Sequence, residues 1–324
     1  TPRSFPSMFS SQYPSQVKVD KSFANYSQVL PANLMLAEVL AEAGVHTVGI
    51  SSHFYFKKER GITQGFAEYD NEGAKNIAGS NKDIASPRTV PKALAKLEEL
   101  AAKGERFALF VHLFEPHSTY LKHPEYPINT RGTESLVQKY DYEIKFVDVW
   151  LGKLLDGLAA SSVADDTLIV IASDHGEAFG VHRVGGKRMF FHGQTLYDEL
   201  LRVPLVFKAP GGTPVSADDV VMLIDVAPTV VDAMGIPVPD DFVGRSLAGR
   251  LYGEELKQRP AFAELIPAPS WNQEAKAVVT ADGKYKAIYS ISGGSWEAYD
   301  LASDPEERKD IGAKNKAKLD ELKE

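Results

Sequence analysis

The sequence predicts an α/β fold in which helices flank a mostly parallel central sheet, with a small antiparallel sheet and a helix at the C-terminal end. Two observations lead to this prediction. Over most of the chain, short apolar runs alternate with amphipathic stretches, as in strands that alternate with covering helices. Beyond Pro260, polar and apolar residues alternate one by one, which is typical of antiparallel strands.

The first predicted helix covers residues 34–43, with Leu36, Val39 and Leu40 on one face and Gly44 as its stop. Further helices are predicted over residues 91–102, 142–158 and 221–234, and strands over residues 47–50, 107–114, 167–172 and 205–208. The run at 107–114 is continuously apolar, which suits a central parallel strand buried on both faces.

The C-terminal region predicts a separate antiparallel sheet over residues 261–300. Two of its strands are joined through Asp282-Gly283, a strong hairpin signal. A charged helix is predicted from Asp304 onward. We therefore expect an α/β domain over residues 1–258 and an antiparallel subdomain over residues 259–324 packed on it.

Composition excludes several classes of function. Lys and Arg number 36 against 44 Asp and Glu, a formal net charge of −8, so the chain is a poor candidate for binding nucleic acid. No apolar run approaches the roughly 20 residues that span a bilayer, so no membrane span is predicted within the chain. The chain has no Cys, which excludes disulfides and thiolate metal sites.

Asp174 and His175 stand side by side where the predicted strand 167–172 ends. Ligands of open α/β sheets bind at the carboxyl ends of strands. A carboxylate beside an imidazole suits a divalent metal ion, Ca, Mn, Zn or Mg, depending on the other ligands. The alternative is an Asp that caps the next helix beside an unrelated His.

A basic island follows in this acidic chain. Arg183 and Lys187 are candidates to clamp a sulfate or phosphate group, and His182 is a candidate to line the same site. The alternative is a solvated loop.

Three further segments carry a family resemblance. They are Thr1-Pro2-Arg3-Ser4-Phe5-Pro6-Ser7 through Tyr13-Pro14-Ser15, Pro116-His117-Ser118-Thr119-Tyr120, and His192-Gly193 before Leu196-Tyr197-Asp198-Glu199 and Val203-Pro204-Leu205. With Asp174-His175, and in the same order, they resemble the sulfatase family of the alkaline phosphatase superfamily. Stretches within residues 224–247 and 284–307 also resemble the family, so the resemblance spans nearly the whole chain.

That resemblance implies an alkaline phosphatase-like α/β sandwich, with residues 1–258 as the catalytic domain. It places Ser4 at the position of the nucleophile, His117 facing the substrate, and His192 where an imidazole binds the ester oxygens or protonates the leaving group. The implied activity is metal-dependent hydrolysis of a small anionic sulfate ester.

One position departs from the family pattern. Sulfatases convert the nucleophile to formylglycine, and that modification reads an Arg four positions on, where this chain has Met8. Formylglycine at Ser4 is therefore an open question. An alternative is a phosphatase, phosphodiesterase or phospho-group transferase that uses unmodified Ser4. A second alternative is a catalytically silent binding protein on the same fold.

The family begins with a strand that ends in acidic metal ligands, several dozen residues before the nucleophile. No such segment precedes Thr1, so we expect the chain to lack its N-terminal segment together with any targeting signal. The resemblance implies an extracytoplasmic location, periplasmic, secreted or membrane-anchored. The sequence leaves the oligomeric state open.

Overall fold

The computed structural model describes residues 2–72 and 84–323; Thr1, the first residue of the predicted nucleophile segment, lies outside them. The helices are α1 (Ser4–Ser10), α2 (Leu36–Glu42), α3 (Ser86–Lys103), α4 (Gly132–Ala159), α5 (Asp198–Leu201), α6 (Val226–Ala233), α7 (Ala248–Leu251) and α8 (Lys316–Lys323). The strands are β1 (His46–Ile50), β2 (Glu68–Asp70), β3 (Phe107–Val111), β4 (Ile169–Ala172), β5 (Ala178–Val184), β6 (Lys187–Phe191), β7 (Leu205–Lys208), β8 (Ala261–Leu265), β9 (Ala275–Val279), β10 (Tyr285–Ser290) and β11 (Ser295–Asp300).

Contacts within the chain divide it into two compact units. We call Leu34–Thr167 the central unit, and Thr1–Asn33 with Leu168–Glu324 the terminal unit. The expected division at residues 258 and 259 stays a prediction.

The central unit contains a three-stranded parallel sheet in the order β2-β1-β3. Residues 46–50 of β1 pair in parallel with residues 107–111 of β3, so the two predicted strands are present. The central position predicted for the 107–114 run is wrong: among the described strands β3 lies at the edge of the sheet, ends at Val111 and is only partly buried. Helices α3 and α4 pack together beside this sheet. The parallel register brings the carboxyl ends of β1 and β3 to one edge.

Helix α3 begins at Ser86, earlier than the predicted start at Pro91. The buried carboxylate of Glu115 accepts hydrogen bonds from the Ala85 and Ser86 N–H groups, at 2.7 and 3.1 Å, and from the Ser86 hydroxyl. A carboxylate from a distant part of the chain thus satisfies the free donors of the first turn.

The terminal unit contains three antiparallel arrangements. β4 pairs with β7, β5 with β6, and the C-terminal strands form a sheet in the order β11-β10-β9-β8. This sheet confirms the antiparallel prediction, and the turn at Asp282-Gly283 joins β9 to β10 as expected. Its apolar face packs against the β5–β6 hairpin and α5 in one core, which includes Ala178, Met189, Tyr197, Leu200, Ala277, Ile288 and Tyr299.

The helix predicted from Asp304 is wrong over its first part, because α8 begins only at Lys316. Asp304 accepts a hydrogen bond from the Lys309 N–H at 2.7 Å, and Asp310 accepts from the N–H groups of Gly312 and Ala298 at 2.8 and 3.0 Å. Such side-chain acceptors compete with helical hydrogen bonds and favour turns. Helix α4, in contrast, is longer than predicted and begins at Gly132.

Within the described residues, we find no helix both long and apolar enough to cross a membrane.

Candidate active site

Strand β4 ends at Ala172, and residues 173–177 form an irregular segment that leads into β5. The Ser173 hydroxyl donates to the carbonyl of His175 at 2.7 Å, and the Gly176 N–H donates to the carbonyl of Leu200 at 2.8 Å. A Cβ at residue 176 would lie 2.2 Å from the carbonyl oxygen of Glu199, so only glycine fits there. This close approach fixes Asp174 and His175 between β4 and α5.

The His175 ring is oriented by its own backbone. Its Nδ1 lies 2.8 Å from the carbonyl oxygen of Gly176, which can only accept, so Nδ1 carries the proton. Burial lowers the pKa of His175 to about 4, opposed by the Asp174 carboxylate, whose Oδ1 lies 3.7 Å from Nε2. His175 is therefore neutral at pH 7, and the lone pair on Nε2 can accept a hydrogen bond or bind a cation.

The β5–β6 hairpin determines what lies beside His175. At its open end, Ala178 pairs with Phe191. The residues just outside this pair, Glu177 and His192, are therefore placed side by side. Phe191 has a positive φ of 68°, an uncommon conformation for a bulky residue, where the chain turns toward His192.

Glu177 and His192 form a hydrogen-bonded pair beside His175. Glu177 Oε1 lies 3.0 Å from His192 Nδ1, and the Glu177 side chain is only 4% exposed. The rings of His175 and His192 lie 4.1 Å apart between centroids. Since the carboxylate accepts from Nδ1, the Nε2 of His192 is the nitrogen that can give or take a proton. The geometry suits general acid–base chemistry.

His182, a predicted substrate-binding residue, has both ring nitrogens in hydrogen bonds. Nδ1 lies 2.9 Å from Glu199 Oε1, and Nε2 lies 3.0 Å from the carbonyl oxygen of Glu307. The ring also stacks on Tyr197 at 3.7 Å. Burial lowers the pKa of His182, but the hydrogen bonds to Glu199 and Glu307 outweigh it and raise the pKa overall. The two hydrogen bonds favour a protonated His182 ring with a structural role. The predicted role of His182 in substrate binding stays a prediction.

Arg183 and Lys187 lie at the closed end of the hairpin, where Val184 pairs with Lys187 across Gly185-Gly186. Arg183 Nη1 donates to the carbonyl of Gly186 at 2.8 Å, and both side chains are exposed. His192 follows the opposite end of β6, about 16 Å away at the usual rise of a strand. Their predicted role as an anion clamp remains a prediction.

Ser4 is the first residue of α1 and is partly buried. The far end of this short helix is fixed by Ser11, whose hydroxyl donates to the carbonyl of Ile224 at 2.7 Å and accepts from the Gly244 N–H at 2.9 Å. Met8, where the family pattern has an Arg, is buried in the core of the terminal unit. The role of Ser4 as nucleophile stays a prediction.

His117 belongs to the central unit. Its ring stacks on Phe114 at 4.9 Å, and its Nδ1 lies 2.7 Å from the carbonyl oxygen of Ser118. The structure thus brings together Asp174, His175 and His192 in the terminal unit. The substrate-facing role of His117 stays a prediction.

A comparison with protein-family models matches residues 1–236 to the Sulfatase model and residues 186–323 to the C-terminal model of N-sulphoglucosamine sulphohydrolase. The first match covers well over half of the chain. The chain belongs to the sulfatase family of the alkaline phosphatase superfamily.

Among the sulfatases, it is similar to the Delta 4,5-hexuronate-2-O-sulfatase of Bacteroides thetaiotaomicron, with 29% identity over 192 residues. The alignment covers 56% of this chain and 38% of the relative, so the chain spans well under half of the relative's length.

Solved structures confirm the alkaline phosphatase-like fold. A structure in complex with its substrate, D-glucosamine-2-N,6-O-disulfate, superposes with a TM-score of 0.76 at 19% identity, over 99% of this chain and 86% of that one. A phosphonate monoester hydrolase from Silicibacter pomeroyi gives 0.77 at 18% identity, over 99% and 84%.

Sulfatases generally use a divalent metal ion and a formylglycine residue. Among the residues that the structure describes, no three His, Cys, Asp or Glu side chains cluster as a metal site. Yet the buried Nε2 of His175 has no hydrogen-bond partner among those residues, and a carboxylate lies beside it. An imidazole lone pair next to a carboxylate fits part of a cation's coordination shell.

Glu177 is the residue of this candidate site that the sequence prediction missed. The signal was present: Gly185-Gly186 flanked by Val and Lys residues is typical of a two-residue hairpin turn, and both glycines have positive φ, 56° and 78°. Such a turn brings the segments before and after it together, and the register shift between Phe179 and Arg183 then places Glu177 beside His192.

Proposed function

We propose that the chain hydrolyses sulfate esters at the site formed around His175 and His192. The observation that carries this proposal is the buried Glu177 carboxylate held 3.0 Å from His192 Nδ1, next to the neutral ring of His175. A sulfatase needs a group that protonates the departing alcohol oxygen, and this pair has the geometry for that step.

His192 acts as the acid. With Nδ1 directed at Glu177, its protonated form carries the second proton on Nε2, which gives that proton to the ester oxygen as the S–O bond breaks. The adjacent carboxylate orients the ring and stabilises the imidazolium before transfer. Glu177 also prevents the ring from presenting the wrong nitrogen.

Ser4 supplies the attacking oxygen in this proposal, either as a hydroxyl of hydrated formylglycine or as the unmodified serine hydroxyl. This oxygen loses its proton and bonds to sulfur as the bond from sulfur to the alcohol oxygen breaks, and the sulfate is released from residue 4 in a later step. The segment that carries Ser4 is fixed by Ser11, as described above, and the Arg3 guanidinium donates to the carbonyl of Ser22 at 2.9 Å. A nucleophile on a fixed turn loses little freedom when the ester binds.

Asp174 and His175 are the residues that would hold the divalent metal ion. When bound, the ion would supply positive charge that stabilises the developing negative charge of the transferred group. Two donors do not complete the shell of such an ion, so other oxygen donors must join them. His175 is already neutral at pH 7, and therefore needs no deprotonation before it binds a cation.

Phosphate-ester chemistry is the second candidate, favoured by Met8. Its side chain is 7% exposed and lies where sulfatases that mature to formylglycine carry an Arg. If Ser4 remains a serine, its hydroxyl suits transfer of a phospho-group.

The test compares turnover of 4-nitrophenyl sulfate with that of 4-nitrophenyl phosphate and bis(4-nitrophenyl) phosphate, with each divalent cation in turn. Peptide mass spectrometry reports the state of residue 4, since conversion to an aldehyde removes two hydrogen atoms. Preferred turnover of the sulfate, abolished by Ser4→Ala, supports the proposal. Preference for a phosphate ester moves the chain to the second candidate, and turnover of no ester favours a silent binding protein.

We also infer that the protein works outside the cytoplasm, on the basis of its family. Cell fractionation with an antibody against this chain tests the inference. Recovery in the cytoplasmic fraction alone would contradict it.

A further inference from the structure

A large aromatic side chain lies exposed next to the proposed acid. Trp271 is 46% exposed, although a Trp side chain is usually covered in a folded protein. Its indole lies against Gly193, the residue that follows His192: a Cβ at residue 193 would lie 3.4 Å from Trp271 Cδ1 and 3.8 Å from Nε1. The exposed ring therefore begins one residue from the proposed catalytic histidine.

The loop that carries Trp271 is short and well fixed. The Trp271 N–H donates to the carbonyl of Ala268 at 2.9 Å, and the Ala268 N–H donates back to the carbonyl of Trp271 at 3.2 Å. Two prolines restrict the backbone here, Pro267 just before the turn and Pro269 within it. Holding an exposed indole in one place reduces the entropy lost when a ligand packs on it.

A second anchor connects the loop to the N-terminal segment. The Ser270 N–H donates to Asn25 Oδ1 at 3.0 Å, across 245 residues of sequence. The segment around Asn25 is in turn held to Arg3, the neighbour of Ser4, through the carbonyl of Ser22. The Trp271 loop is thus tied both to the His192 side of the proposed site and to the segment that carries Ser4.

The residues on either side of the indole are polar. Ser270 and Asn272 are both exposed, so hydrogen-bonding groups flank an apolar ring face. A pyranose matches this combination, because one face of the sugar presents C–H groups and its rim presents hydroxyls. C–H groups pack favourably on the electron-rich face of an indole.

We propose that Trp271 is a stacking platform for the sugar ring of a saccharide sulfate, and so helps to determine which alcohol the site accepts. This inference rests on the proposed function and adds the substrate class to it. The indole would contact the ring that carries the ester, while His192 acts on the ester oxygen. Trp271 is therefore a specificity residue and takes no part in proton transfer.

The kinetic test uses glucosamine 6-sulfate and 4-nitrophenyl sulfate on the wild type, Trp271→Ala and Trp271→Phe. For the saccharide sulfate, Trp271→Ala should raise KM about 3- to 10-fold and change kcat less than about twofold, with partial rescue in Trp271→Phe. A rise in KM for the saccharide sulfate supports the proposal whether or not the aryl ester shares it. An unchanged KM, or a rise for the aryl ester alone, overturns it.

A binding test separates this inference from the proposed activity. The chain has three tryptophans, Trp150, Trp271 and Trp296, so intrinsic fluorescence reports a sugar on the indole without any turnover. Glucosamine 6-sulfate should change the emission of the wild type but not that of Trp271→Phe. The matched control is Trp296→Phe, which should keep the change, because the Trp296 ring packs on Tyr289 with 4.6 Å between centroids. If Trp271→Phe keeps the full change in emission, the sugar does not bind at Trp271 and the platform is overturned. If the change depends on Trp271 but no ester is turned over, the platform stands and only the proposed activity is rejected.

Discussion

Oε1 of Glu177 lies 3.0 Å from Nδ1 of His192, although 15 residues separate the two in sequence. The pair exists because β5 and β6 fold back on each other, with Ala178 opposite Phe191 at the open end of the hairpin. A carboxylate only 4% exposed is costly to bury without a partner, and the imidazole provides one. This pairing gives His192 a fixed orientation and a defined proton-carrying nitrogen.

Glu177→Gln should lower kcat on a sulfate ester about 10- to 100-fold, with a small change in KM. The amide keeps the size of the side chain but removes the charge that stabilises the imidazolium. Steady-state kinetics measure the effect. The matched control is Glu199→Gln, since Glu199 holds the other paired histidine of this hairpin, His182, at 2.9 Å. Equal losses of kcat in the two variants would contradict a specific role for Glu177.

Lys286→Met should destabilise the fold by about 3–5 kcal/mol. The Lys286 side chain is fully buried, with Nζ 2.7 Å from Asp198 Oδ1 and 2.8 Å from Glu307 Oε1. Without the ammonium group, the buried Glu307 carboxylate and the partly buried Asp198 carboxylate lose the cation between them. Urea unfolding followed by fluorescence measures the free energy of unfolding.

Lys284→Met is the control for that experiment. Lys284 lies two residues earlier, its side chain is 62% exposed, and its Nζ is 3.5 Å from Asp282 Oδ2. Its replacement should leave the unfolding free energy close to that of the wild type, because exposed ion pairs contribute little. Similar losses in both variants would show that the buried network around Asp198 and Glu307 is not what stabilises α5 on the C-terminal sheet.

The sequence predicted elements whose pattern is local, and missed those that depend on distant partners. Strands β1 and β3 follow from their apolar runs, and the Asp282-Gly283 turn follows from its dipeptide. The start of α3 could not be found, since Glu115, almost 30 residues later, satisfies its first N–H groups. Asp174, His175 and His192 were identified by motif, but Glu177 needed the hairpin register, which is irregular between Phe179 and Arg183.

The stability of the central unit should depend on pH through Glu143. Burial raises its pKa to about 7, opposed by the Leu121 N–H, which donates to Oε1 at 2.7 Å. Because the folded pKa lies above the unfolded one, the folded state binds more protons. The contribution of Glu143 to the free energy of unfolding is fully present below pH 4.5. It is lost as pH rises through 7, and the loss amounts to up to about 3 kcal/mol.

His123, whose Nε2 lies 3.1 Å from Glu143 Oε1, acts in the opposite direction. Burial lowers its pKa, so its contribution is present above its unfolded pKa of about 6.5 and is lost as pH falls. The difference in unfolding free energy between Glu143→Gln and the wild type isolates the carboxyl group. As pH rises from 5 to 8, the variant should become more stable relative to the wild type. Glu134→Gln, exposed on the same helix, should show no such trend. A constant difference for Glu143→Gln would refute the assignment.

Divalent cations should stabilise the protein through Asp174 and His175. A ligand that binds only the folded state, present at a concentration of 100 times its Kd, adds about 2.7 kcal/mol to the free energy of unfolding. Thermal unfolding of chelator-treated protein, with Ca, Mn, Zn or Mg added in turn, should show an upward shift for at least one ion in the wild type. The shift should be lost in Asp174→Asn and kept in Asp166→Asn, an exposed control. Equal shifts in both variants would place the ion elsewhere.

The most direct test of the account is the dependence of rate on the leaving group. We would measure kcat/KM for a series of aryl sulfates whose phenols span a wide range of pKa, in the wild type and in His192→Gln. If His192 protonates the departing oxygen, its loss should lower kcat/KM only slightly for the most acidic phenols and progressively more for the more basic ones. The plot of kcat/KM against leaving-group pKa should therefore be steeper for the variant than for the wild type. A loss by the same factor across the whole series would contradict the assignment of His192 as the acid held by Glu177.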